Sequence, residues 1–489
     1  MDITEWLPEF PVSAEEDKDL MTYFFNVSYI QEILDNKKWI VLGRKGTGKT
    51  AIYEYFIRNE SLTNKYILIP LNFKDYPWPI HQLYKQNMES ELNPYSNSWD
   101  YIITLNVLVS YIKNIDNKEL DTNLKNVKEI IKKLYGSPFP SLIDIIKGKI
   151  LRLDKISFPN VNAGSININL GEVSFEKISE SKELIDKLKT NAFNLLVYFK
   201  DILSKIRSDK KIIILFDQLD ENWLEGQLSE YSKVLISLIN ICKSVNISNK
   251  NIQCILFLRS DIFDTLKFND KNKIRESSSI DIKWNLESLN DMFFERIIRN
   301  KPTDIRIDES LKSNSIFIKK EVRHRAKIFK YIINRTFYRP RDIIVFFNKI
   351  RKAHKKTDNS FYSSENLYSA ANEFSSSLYN ELMDEWTNQK PEIKNYLKIL
   401  QNIGNQIFTY GDFNTSYKNE FKIIDKANVE EALLFLYNNS ILGQKKGAIW
   451  YYFCNNQYQQ IDYKKEFHVN PGLSSRLNLT ESRVKHLEK

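Results

Sequence analysis

Three glycines, a lysine and a threonine stand at a fixed spacing early in the chain, where residues 43–50 read GRKGTGKT. This stretch matches the pattern GxxxxGK[ST], whose glycines let successive backbone N–H groups turn toward phosphate oxygens. The lysine of the pattern is expected to contact the β- and γ-phosphates, and the threonine hydroxyl to bind Mg²⁺. The predicted nucleotide-binding residues are Gly43, Arg44, Lys45, Gly46, Thr47, Gly48, Lys49, Thr50 and Ala51.

Such a loop must follow a strand and precede a helix, and the flanking residues fit both requirements. The run KKWIVL at 37–42 is β-rich, and AIYEYFIRN after the loop is typical of a helix. Further apolar runs predict strands at 66–73, 211–216, 252–258 and 279–284. These runs lack clean alternation and are separated by helical stretches, which predicts a parallel sheet covered on both faces. The expected fold class is α/β, with the parallel sheet of an ASCE-type P-loop NTPase.

Acidic residues follow the third predicted strand in IIILFDQLDENW. Asp217 comes directly after the strand and is the expected Mg²⁺ ligand together with Thr50, while Asp220 and Glu221 lie one turn further on. Gln218 occupies the position next to Asp217 and cannot accept a proton. Either Asp220 or Glu221 therefore serves as the catalytic base, or hydrolysis is weak; a solvated loop is the alternative interpretation of the pair.

Arginines stand at two further places that face the predicted site. Arg259 follows the fourth strand in ILFLRSDIF, at the edge of the sheet where it could approach the γ-phosphate, unless it forms only a surface salt bridge. In FYRPRDII, Pro340 fixes a turn before a helix, and one of the flanking residues, Arg339 or Arg341, could reach the nucleotide. Solvated side chains are the alternative for this pair.

The chain is expected to contain three domains. Residues 1–285 form the ATPase core, with an insertion at about 80–207 that reads mostly as helices and includes a β-hairpin at 156–175. Residues 286–386 are predicted to form a helical lid. Residues 387–489 are predicted to form a winged-helix domain, from helices at 392–403 and 428–439 and the hairpin ILGQKKGAIWYYF with glycine at its turn.

Composition excludes several classes of protein. With 489 residues and 42% hydrophobic content the chain is not disordered, and its apolar runs fall far short of the ~18 to 20 residues of a membrane span. The acidic N-terminus MDITEWLPEF does not resemble a signal peptide, so we expect a cytoplasmic protein without membrane contact. Three cysteines without a CxxC pair imply neither a zinc site nor a disulfide framework.

Positive charge is concentrated in one segment. Residues 319–356 carry 14 Lys+Arg and 2 Asp+Glu, a net charge of +12 against +9 for the whole chain. Ile328, Ile332 and Ile333 recur at helical spacing and are expected in the core, with Lys327 and Lys330 on other faces, like Arg335. A solvated helix face, a nucleic-acid surface and contact with the nucleotide or an acidic partner remain open; the winged helix is a second candidate for nucleic-acid binding.

The motifs together resemble those of STAND-type ATPases of the NACHT-like groups, whose extended Walker B element stands here as Asp217, Gln218, Leu219, Asp220 and Glu221. With GRKGTGKTAI, LRSDIF and FHVNPGL, the set also resembles a bacterial family of stand-alone P-loop ATPases often encoded in antiviral defence islands. The resemblance implies that Arg259 is a sensor-1 arginine and that RPRD is a sensor-2 or adenine-side motif. By analogy with AAA+ relatives, Arg275 before the fifth strand becomes a candidate arginine finger, with a solvated arginine as the alternative.

This resemblance implies an ATP- and Mg²⁺-dependent switch that forms a homo-oligomer. No nuclease, NADase or protease constellation is recognisable in the chain, so a toxic activity would belong to a separate effector protein. Two other functions remain open: a DNA-remodelling or loader-like AAA+ ATPase, and a nucleotide-binding scaffold with little turnover. ATP turnover separates the scaffold from the other two, and stimulation by DNA favours the loader.

Overall fold

The structure is a computed structural model, and it describes most of the chain. The described residues are 1–25, 29–85, 94–116, 120–147, 181–220, 228–322, 325–355, 361–422, 426–447, 449–456 and 459–480. They form two compact units: a sheet unit of Val27–Arg44 and Lys49–Asp281, and a C-terminal unit of Met1–Asn26, Lys45–Gly48 and Ile282–Lys489. The predicted hairpin at 156–175 and the candidate base Glu221 lie outside the described residues.

A five-stranded parallel sheet forms the centre of the sheet unit, in the order β2-β3-β4-β1-β5. Its strands are β1 (Ile40–Leu42), β2 (Ile67–Asn72), β3 (Ile212–Asp217), β4 (Ile252–Leu258) and β5 (Ser279–Asp281). β3 and β4 are buried along their whole length, as expected for strands covered on both faces. The strand order, with the P-loop directly after β1, confirms the α/β fold of an ASCE-type P-loop NTPase.

Two strands are shorter than their apolar runs predict. β1 begins at Ile40, after the exposed Lys37 and the half-buried Lys38, whose ammonium donates to the Glu276 carbonyl. β5 ends at Asp281 because the next residues, from Ile282 onward, group with the C-terminal unit. In the second run, Ile282 and Trp284 continue the apolar pattern beyond the end of β5, so hydrophobicity alone misplaces this strand end.

Helices surround the sheet and make up the described part of the insertion, as predicted for residues 80–207. The helices of the sheet unit are Ile30–Leu34, Lys49–Arg58, Glu60–Lys65, Trp78–Gln82, Ser96–Asn114, Thr122–Tyr135, Leu142–Ile146, Lys182–Lys205, Leu228–Ser248, Ser260–Thr265 and Lys271–Ser278. Helix Ser96–Asn114 packs against β2 and is buried nearly all round, so it joins the insertion to the core of the sheet.

A buried histidine lies where the insertion meets the sheet. His81 is fully buried; its Nδ1 lies 2.7 Å from the Tyr76 hydroxyl and its Nε2 lies 2.8 Å from the Ser98 hydroxyl. Trp78 and Trp99 pack around the same ring. Burial disfavours the charged imidazolium and lowers the pKa of His81 to about 3. The imidazole is therefore neutral in the folded protein at neutral pH.

This histidine is expected to make the fold sensitive to acid. The ordinary pKa of 6.5 applies in the unfolded chain, so below that pH only the unfolded state takes up the proton. The contribution of His81 to the free energy of unfolding is therefore fully present above pH 6.5. It decreases by roughly 1 kcal/mol per pH unit as the pH drops toward 3. Thermal unfolding between pH 7.5 and pH 5 should show a smaller loss for His81→Gln, whose amide can still contact both hydroxyls. Equal losses in the two proteins would contradict this account.

The C-terminal unit includes the N-terminal segment, which corrects the predicted core boundary of 1–285. Residues 1–26 group with the helices after β5, because their backbone carbonyls accept hydrogen bonds from that region. The Arg351 guanidinium donates to the carbonyls of Leu7 and Thr4, at 3.1 and 3.0 Å, and the Asn348 amide donates to the Phe10 carbonyl at 2.7 Å. No local sequence pattern connects segments nearly 350 residues apart.

Helices dominate residues 286–386, where a helical lid is predicted, and a small hairpin interrupts them. The helices of the C-terminal unit are Ile3–Trp6, Leu286–Asn300, Ile328–Ile333, Pro340–Ala353, Ser364–Trp386, Ile393–Ile403, Tyr410–Phe421 and Lys426–Asn438, with 3₁₀ segments at Leu20–Thr22 and Glu309–Ile316. The hairpin pairs β6 (Glu321–Val322) with β7 (Ala326–Lys327). The boundary predicted between lid and winged helix at 386/387 stays a prediction.

The last part of the chain contains the elements from which a winged helix is predicted. The strands β8 (Ile407–Phe408), β9 (Leu442–Lys446), β10 (Ile449–Tyr452) and β11 (Phe467–Val469) form an antiparallel sheet in the order β10-β9-β11-β8. Gly447 stands at the turn between β9 and β10 with φ +63°, a left-handed conformation that suits glycine. The helix Tyr410–Phe421 is additional to the two predicted helices.

None of the described helices is both long enough and apolar enough to cross a membrane.

Candidate functional site

The P-loop has the backbone conformation that its glycines predict. Gly46 and Gly48 have φ values of +80° and +101°, and the helix begins at Lys49. The Lys49 ammonium is buried and donates to the carbonyls of Gly43 and Arg44, at 3.0 and 3.3 Å. Burial lowers its pKa, and the nearby Asp220 opposes this shift. The loop thus holds a poorly hydrated cation, which is suited to an anionic ligand.

Asp217 brings a carboxylate to the same part of the sheet unit. It is the last residue of β3, is buried, and interacts with the Thr50 hydroxyl, which lowers its pKa. Burial has the larger effect and raises the pKa of Asp217 to about 7. Among the described residues, its Oδ2 has no hydrogen-bond partner. A buried, unsatisfied carboxylate oxygen beside a threonine hydroxyl fits a hard cation such as Mg²⁺; the assignment of Thr50 and Asp217 as its ligands stays a prediction.

The chain turns sharply after Asp217. Gln218 has a φ of +59°, in the left-handed region that a residue with a side chain adopts at a cost of about 1 kcal/mol. This conformation directs the chain into the turn at Leu219 and Asp220. The small residue of related Walker B elements would take up the same backbone more easily. Strain of this kind is common at functional sites.

Arg259 lies at the end of β4, as predicted, and it is buried between two carboxylates. Its Nε and Nη2 donate to the two oxygens of Asp261, at 3.2 and 2.6 Å. Its Nε also lies 3.8 Å from Asp220 Oδ2. The structure therefore brings Lys49, Asp217, Asp220 and Arg259 into one electrostatic cluster, in which Lys49 interacts with each of the other three.

Arg275, the candidate arginine finger, is held within its own chain. It lies in the helix Lys271–Ser278, and its guanidinium contacts Asp264 at 2.9 Å and Asp281 at 3.0 Å. It also lies over the Phe263 ring, 5.5 Å from the centroid. A role toward a neighbouring subunit stays a prediction, and it would require these contacts to open.

In the C-terminal unit, the RPRD segment contacts residues 45–48 of the P-loop. Pro340 is the first residue of a helix, and the buried Arg339 donates to the Lys45 carbonyl at 3.2 Å while pairing with Asp342 and Glu385. Burial opposes its charge, but the two carboxylates raise the pKa of Arg339 above its ordinary value. This arginine is a structural support of the loop backbone.

Arg341 is more exposed than Arg339 and shares a carboxylate with the P-loop. Its backbone N–H donates to the Gly46 carbonyl at 3.4 Å, and its guanidinium lies 3.1 Å from Glu381. Lys45 contacts the same carboxylate at 3.4 Å. Burial favours the protonated acid, but the cations prevail and lower the pKa of Glu381. Arg341 and Lys45 therefore share one carboxylate, that of Glu381.

Removal of this shared anion is expected to strengthen ATP binding. In Glu381→Gln, the positive charges of Lys45 and Arg341 are no longer neutralised by the carboxylate. The side chains are about a quarter to a third exposed, so solvent screens the effect, and we expect a gain of roughly threefold. Calorimetric titration with ATP at two salt concentrations measures this gain. The control is Glu373→Gln, which removes a carboxylate that pairs with Lys349 and Lys352. Weaker binding would instead show that Glu381 positions the two cations.

Much of the charge in the basic segment 319–356 is used inside the C-terminal unit. Ile328, Ile332 and Ile333 are buried, as their spacing predicts, and Lys327 and Lys330 are exposed. Several cations that the sequence shows as available are instead paired or bonded to carbonyls: Arg339, Arg341, Lys349, Arg351 and Lys352. The net charge of the segment therefore overstates the charge that a nucleic acid could meet.

Sequence reasoning missed the carboxylates that pair with the predicted arginines, among them Asp261, Glu381 and Glu385. Asp261 stands two positions after Arg259, and this spacing is a usable local signal. Glu381 and Glu385 lie about 40 residues after the RPRD segment, on the helix Ser364–Trp386, and no local pattern marks them.

One family model matches part of the chain. It is described as the FunZ-associated C-terminal helical domain, and it covers residues 287–383. The match begins within the helix Leu286–Asn300 and ends within the helix Ser364–Trp386.

A curated relative matches over a longer stretch at low identity. The chain is 22% identical over 424 residues to the putative transposon gamma-delta 80.3 kDa protein of Escherichia coli (strain K12). The alignment covers 81% of this chain and 54% of that protein, so the chain spans about half the length of its relative.

Solved structures with similarity to the chain include three archaeal proteins. Cdc6p of Pyrobaculum aerophilum is 10% identical with a TM-score of 0.31, covering 98% of this chain and 97% of that one. Aeropyrum pernix ORC2 is 9% identical with a TM-score of 0.40, and the match covers 92% of this chain and 89% of that one. Aeropyrum pernix ORC1, solved in complex with DNA, is 11% identical with a TM-score of 0.38, and the match covers 97% of this chain and 96% of that one. The fold assignment rests on the strand order and the P-loop described above.

Proposed function

We propose that the protein is an ATP-binding and ATP-hydrolysing switch. The observation that carries this proposal is the buried cluster of the sheet unit, where the P-loop lysine, the Thr50 hydroxyl and the Asp217 carboxylate come together. Lys49 has a lowered pKa because it is buried, and Asp217 has an unsatisfied oxygen. An ATP–Mg²⁺ ligand supplies the anion and the cation that these groups lack.

Each residue of the cluster has a distinct part in the proposed reaction. Lys49 exchanges its two carbonyl contacts for phosphate oxygens, and Thr50 and Asp217 hold Mg²⁺, which neutralises charge on the phosphates when it is bound. Arg259 stabilises charge that develops on the terminal phosphoryl group. Asp220 lies toward Arg259, which leaves Glu221 as the better candidate to orient the attacking water.

The switch is proposed to act through a homo-oligomer and a separate effector protein, in a bacterial antiviral defence system. The resemblance of its motifs to the defence-associated ATPases supports this part of the proposal. We expect ATP to change the mass of the assembly.

Mass and turnover, measured on the same sample, test the switch. The protein is purified with the products of its neighbouring genes, and light scattering after chromatography is compared with and without ATP. The proposal predicts that ATP changes the assembly and that Lys49→Ala abolishes the change. An assembly of the same mass in every nucleotide state contradicts the switch, even where ATP is hydrolysed.

A DNA-binding loader is the second candidate function, and one observation favours it. Exposed cations remain on and around the hairpin of β6 and β7, at Lys319, Arg325, Lys327 and Lys330. Phosphate contacts release counterions, so log K for B-DNA would fall by about 0.9 per contact for each tenfold rise in salt.

This second candidate makes a separate prediction about salt. A variant with Lys319, Lys327 and Lys330 changed to Gln should lose affinity for duplex DNA at low salt. Its plot of log K against log salt concentration should also be less steep, by an amount that corresponds to up to about three phosphate contacts. The control changes Lys349 and Lys352, which pair with Glu373. Fluorescence anisotropy from low to physiological salt gives both values. Wild-type protein that does not bind at low salt, or an unchanged slope, eliminates the loader role of this surface.

A further inference from the structure

Asp261 makes a two-point contact with Arg259. Its carboxylate accepts hydrogen bonds from both Nε and Nη2 of Arg259, at 3.2 and 2.6 Å. Both side chains are largely shielded from solvent, at 7% exposure for Arg259 and 12% for Asp261. A two-point contact of this kind fixes the plane of the guanidinium as well as its position.

A second carboxylate competes for the same guanidinium. Asp220 lies 3.8 Å from Nε, too far for a hydrogen bond but close enough for attraction. Without Asp261, the attraction of Asp220 for the guanidinium would no longer be opposed by this two-point contact. Asp261 therefore holds the arginine away from a residue next to the proposed catalytic base.

Asp261 also balances the charge of the cluster. Arg259 lowers the pKa of Lys49, whereas Asp261 raises it, so the aspartate offsets the repulsion between the two cations. Arg259 and Arg44 in turn outweigh the effect of burial and keep the pKa of Asp261 below its ordinary value. The carboxylate is thus charged, largely shielded from solvent and hydrogen-bonded to Arg259 through both of its oxygens.

We propose that Asp261 is a positioning residue that aims Arg259 at the terminal phosphate of ATP, and so makes the site prefer ATP over ADP. This inference rests on the proposed function as an ATPase. Asp261 itself need not touch the nucleotide, because its effect passes through the guanidinium. The chemistry that it selects is the extra phosphoryl group of a nucleoside triphosphate.

The ratio of the dissociation constants of ADP and ATP measures directly how well Asp261 positions Arg259. In Asp261→Asn one of the two accepting oxygens becomes an NH2 group, which cannot accept a hydrogen bond, and the negative charge is lost. We therefore expect the preference for ATP to fall about tenfold. ADP affinity should stay within about twofold, since ADP lacks the phosphate that Arg259 contacts. Asp270→Asn is the matched control, because it removes an exposed carboxylate paired with Lys243.

A double-mutant cycle separates positioning from a general structural effect. If Asp261 acts only through Arg259, then Asp261→Asn has no further effect on the ratio in the Arg259→Ala background. Asp261→Glu keeps the charge but displaces the carboxylate, because the side chain is one methylene longer. An intermediate preference for ATP over ADP is therefore expected. Should Asp261→Asn fail to fold, Asp261→Glu and Arg259→Lys test the same ratio.

The outcomes distinguish this inference from the proposed function. Equal weakening of ATP and ADP binding, or additive effects in the double mutant, overturns the assignment of Asp261 while the ATPase proposal stands. Wild-type protein that binds neither nucleotide contradicts the proposed function and the assignment together.

Discussion

Lys49→Ala is expected to bind ATP at least about 30-fold more weakly than the wild type, because removal of a buried, hydrogen-bonded charge typically costs about 2–5 kcal/mol of binding energy. The Lys49 ammonium is held by the carbonyls of Gly43 and Arg44 inside the loop. When ATP binds, phosphate oxygens take the place of these neutral acceptors. In the variant, nothing else in the loop supplies a charge at that point.

Calorimetric titration with ATP measures this loss, and circular dichroism shows whether the fold is kept. Lys38→Ala is the control, since Lys38 is a half-buried lysine outside the P-loop whose ammonium contacts the Glu276 carbonyl. Lys38→Ala should bind ATP like the wild type. Equal ATP affinity of Lys49→Ala and wild type would disprove the P-loop assignment.

Glu221→Gln is expected to lower ATP turnover by about 100-fold or more while leaving ATP binding intact. General-base catalysis contributes about 10²- to 10⁴-fold, and the amide of glutamine is not basic enough to replace a carboxylate. Asp220 faces Arg259, at 3.8 Å, so we assign it an electrostatic role instead. Asp220→Asn is therefore expected to have a smaller effect on turnover.

Single-turnover assays with bound ATP compare these two variants, because they separate the chemical step from binding. Under these conditions Glu221→Gln should retain unhydrolysed ATP and accumulate any ATP-dependent assembly. If Asp220→Asn is inactive and Glu221→Gln is not, then Asp220 is the base and the assignment of roles must be reversed.

Most of the sheet unit could be predicted from sequence, because its signals are local. Each strand of a sheet that is covered on both faces is a continuous apolar run, and the P-loop and Asp217 directly follow two of these runs. Arg259 follows a third, at the end of β4. Residues that end parallel strands meet at one edge of the sheet, so their proximity follows from the fold class.

What sequence could not predict depends on long-range pairing. The carboxylates that hold Arg339 and Arg341 come from a helix about 40 residues later, and helical periodicity does not specify which faces meet. The N-terminal segment joins the C-terminal unit through backbone carbonyls, which every residue carries and no pattern marks. The net charge of residues 319–356 overstated the charge available to a nucleic acid for a related reason. It counts Arg351 and Lys349 whether or not they are paired inside the fold.

Phosphate release from ATP by the purified wild-type protein tests the central claim most directly. The reaction is followed with saturating ATP, with and without Mg²⁺, beside Asp217→Asn, which removes the buried carboxylate at the end of β3. An ATP-hydrolysing switch predicts steady turnover that requires Mg²⁺ and falls to background in Asp217→Asn. Tight ATP binding without phosphate release, in the presence of Mg²⁺, would contradict it and identify the protein as a nucleotide-binding scaffold.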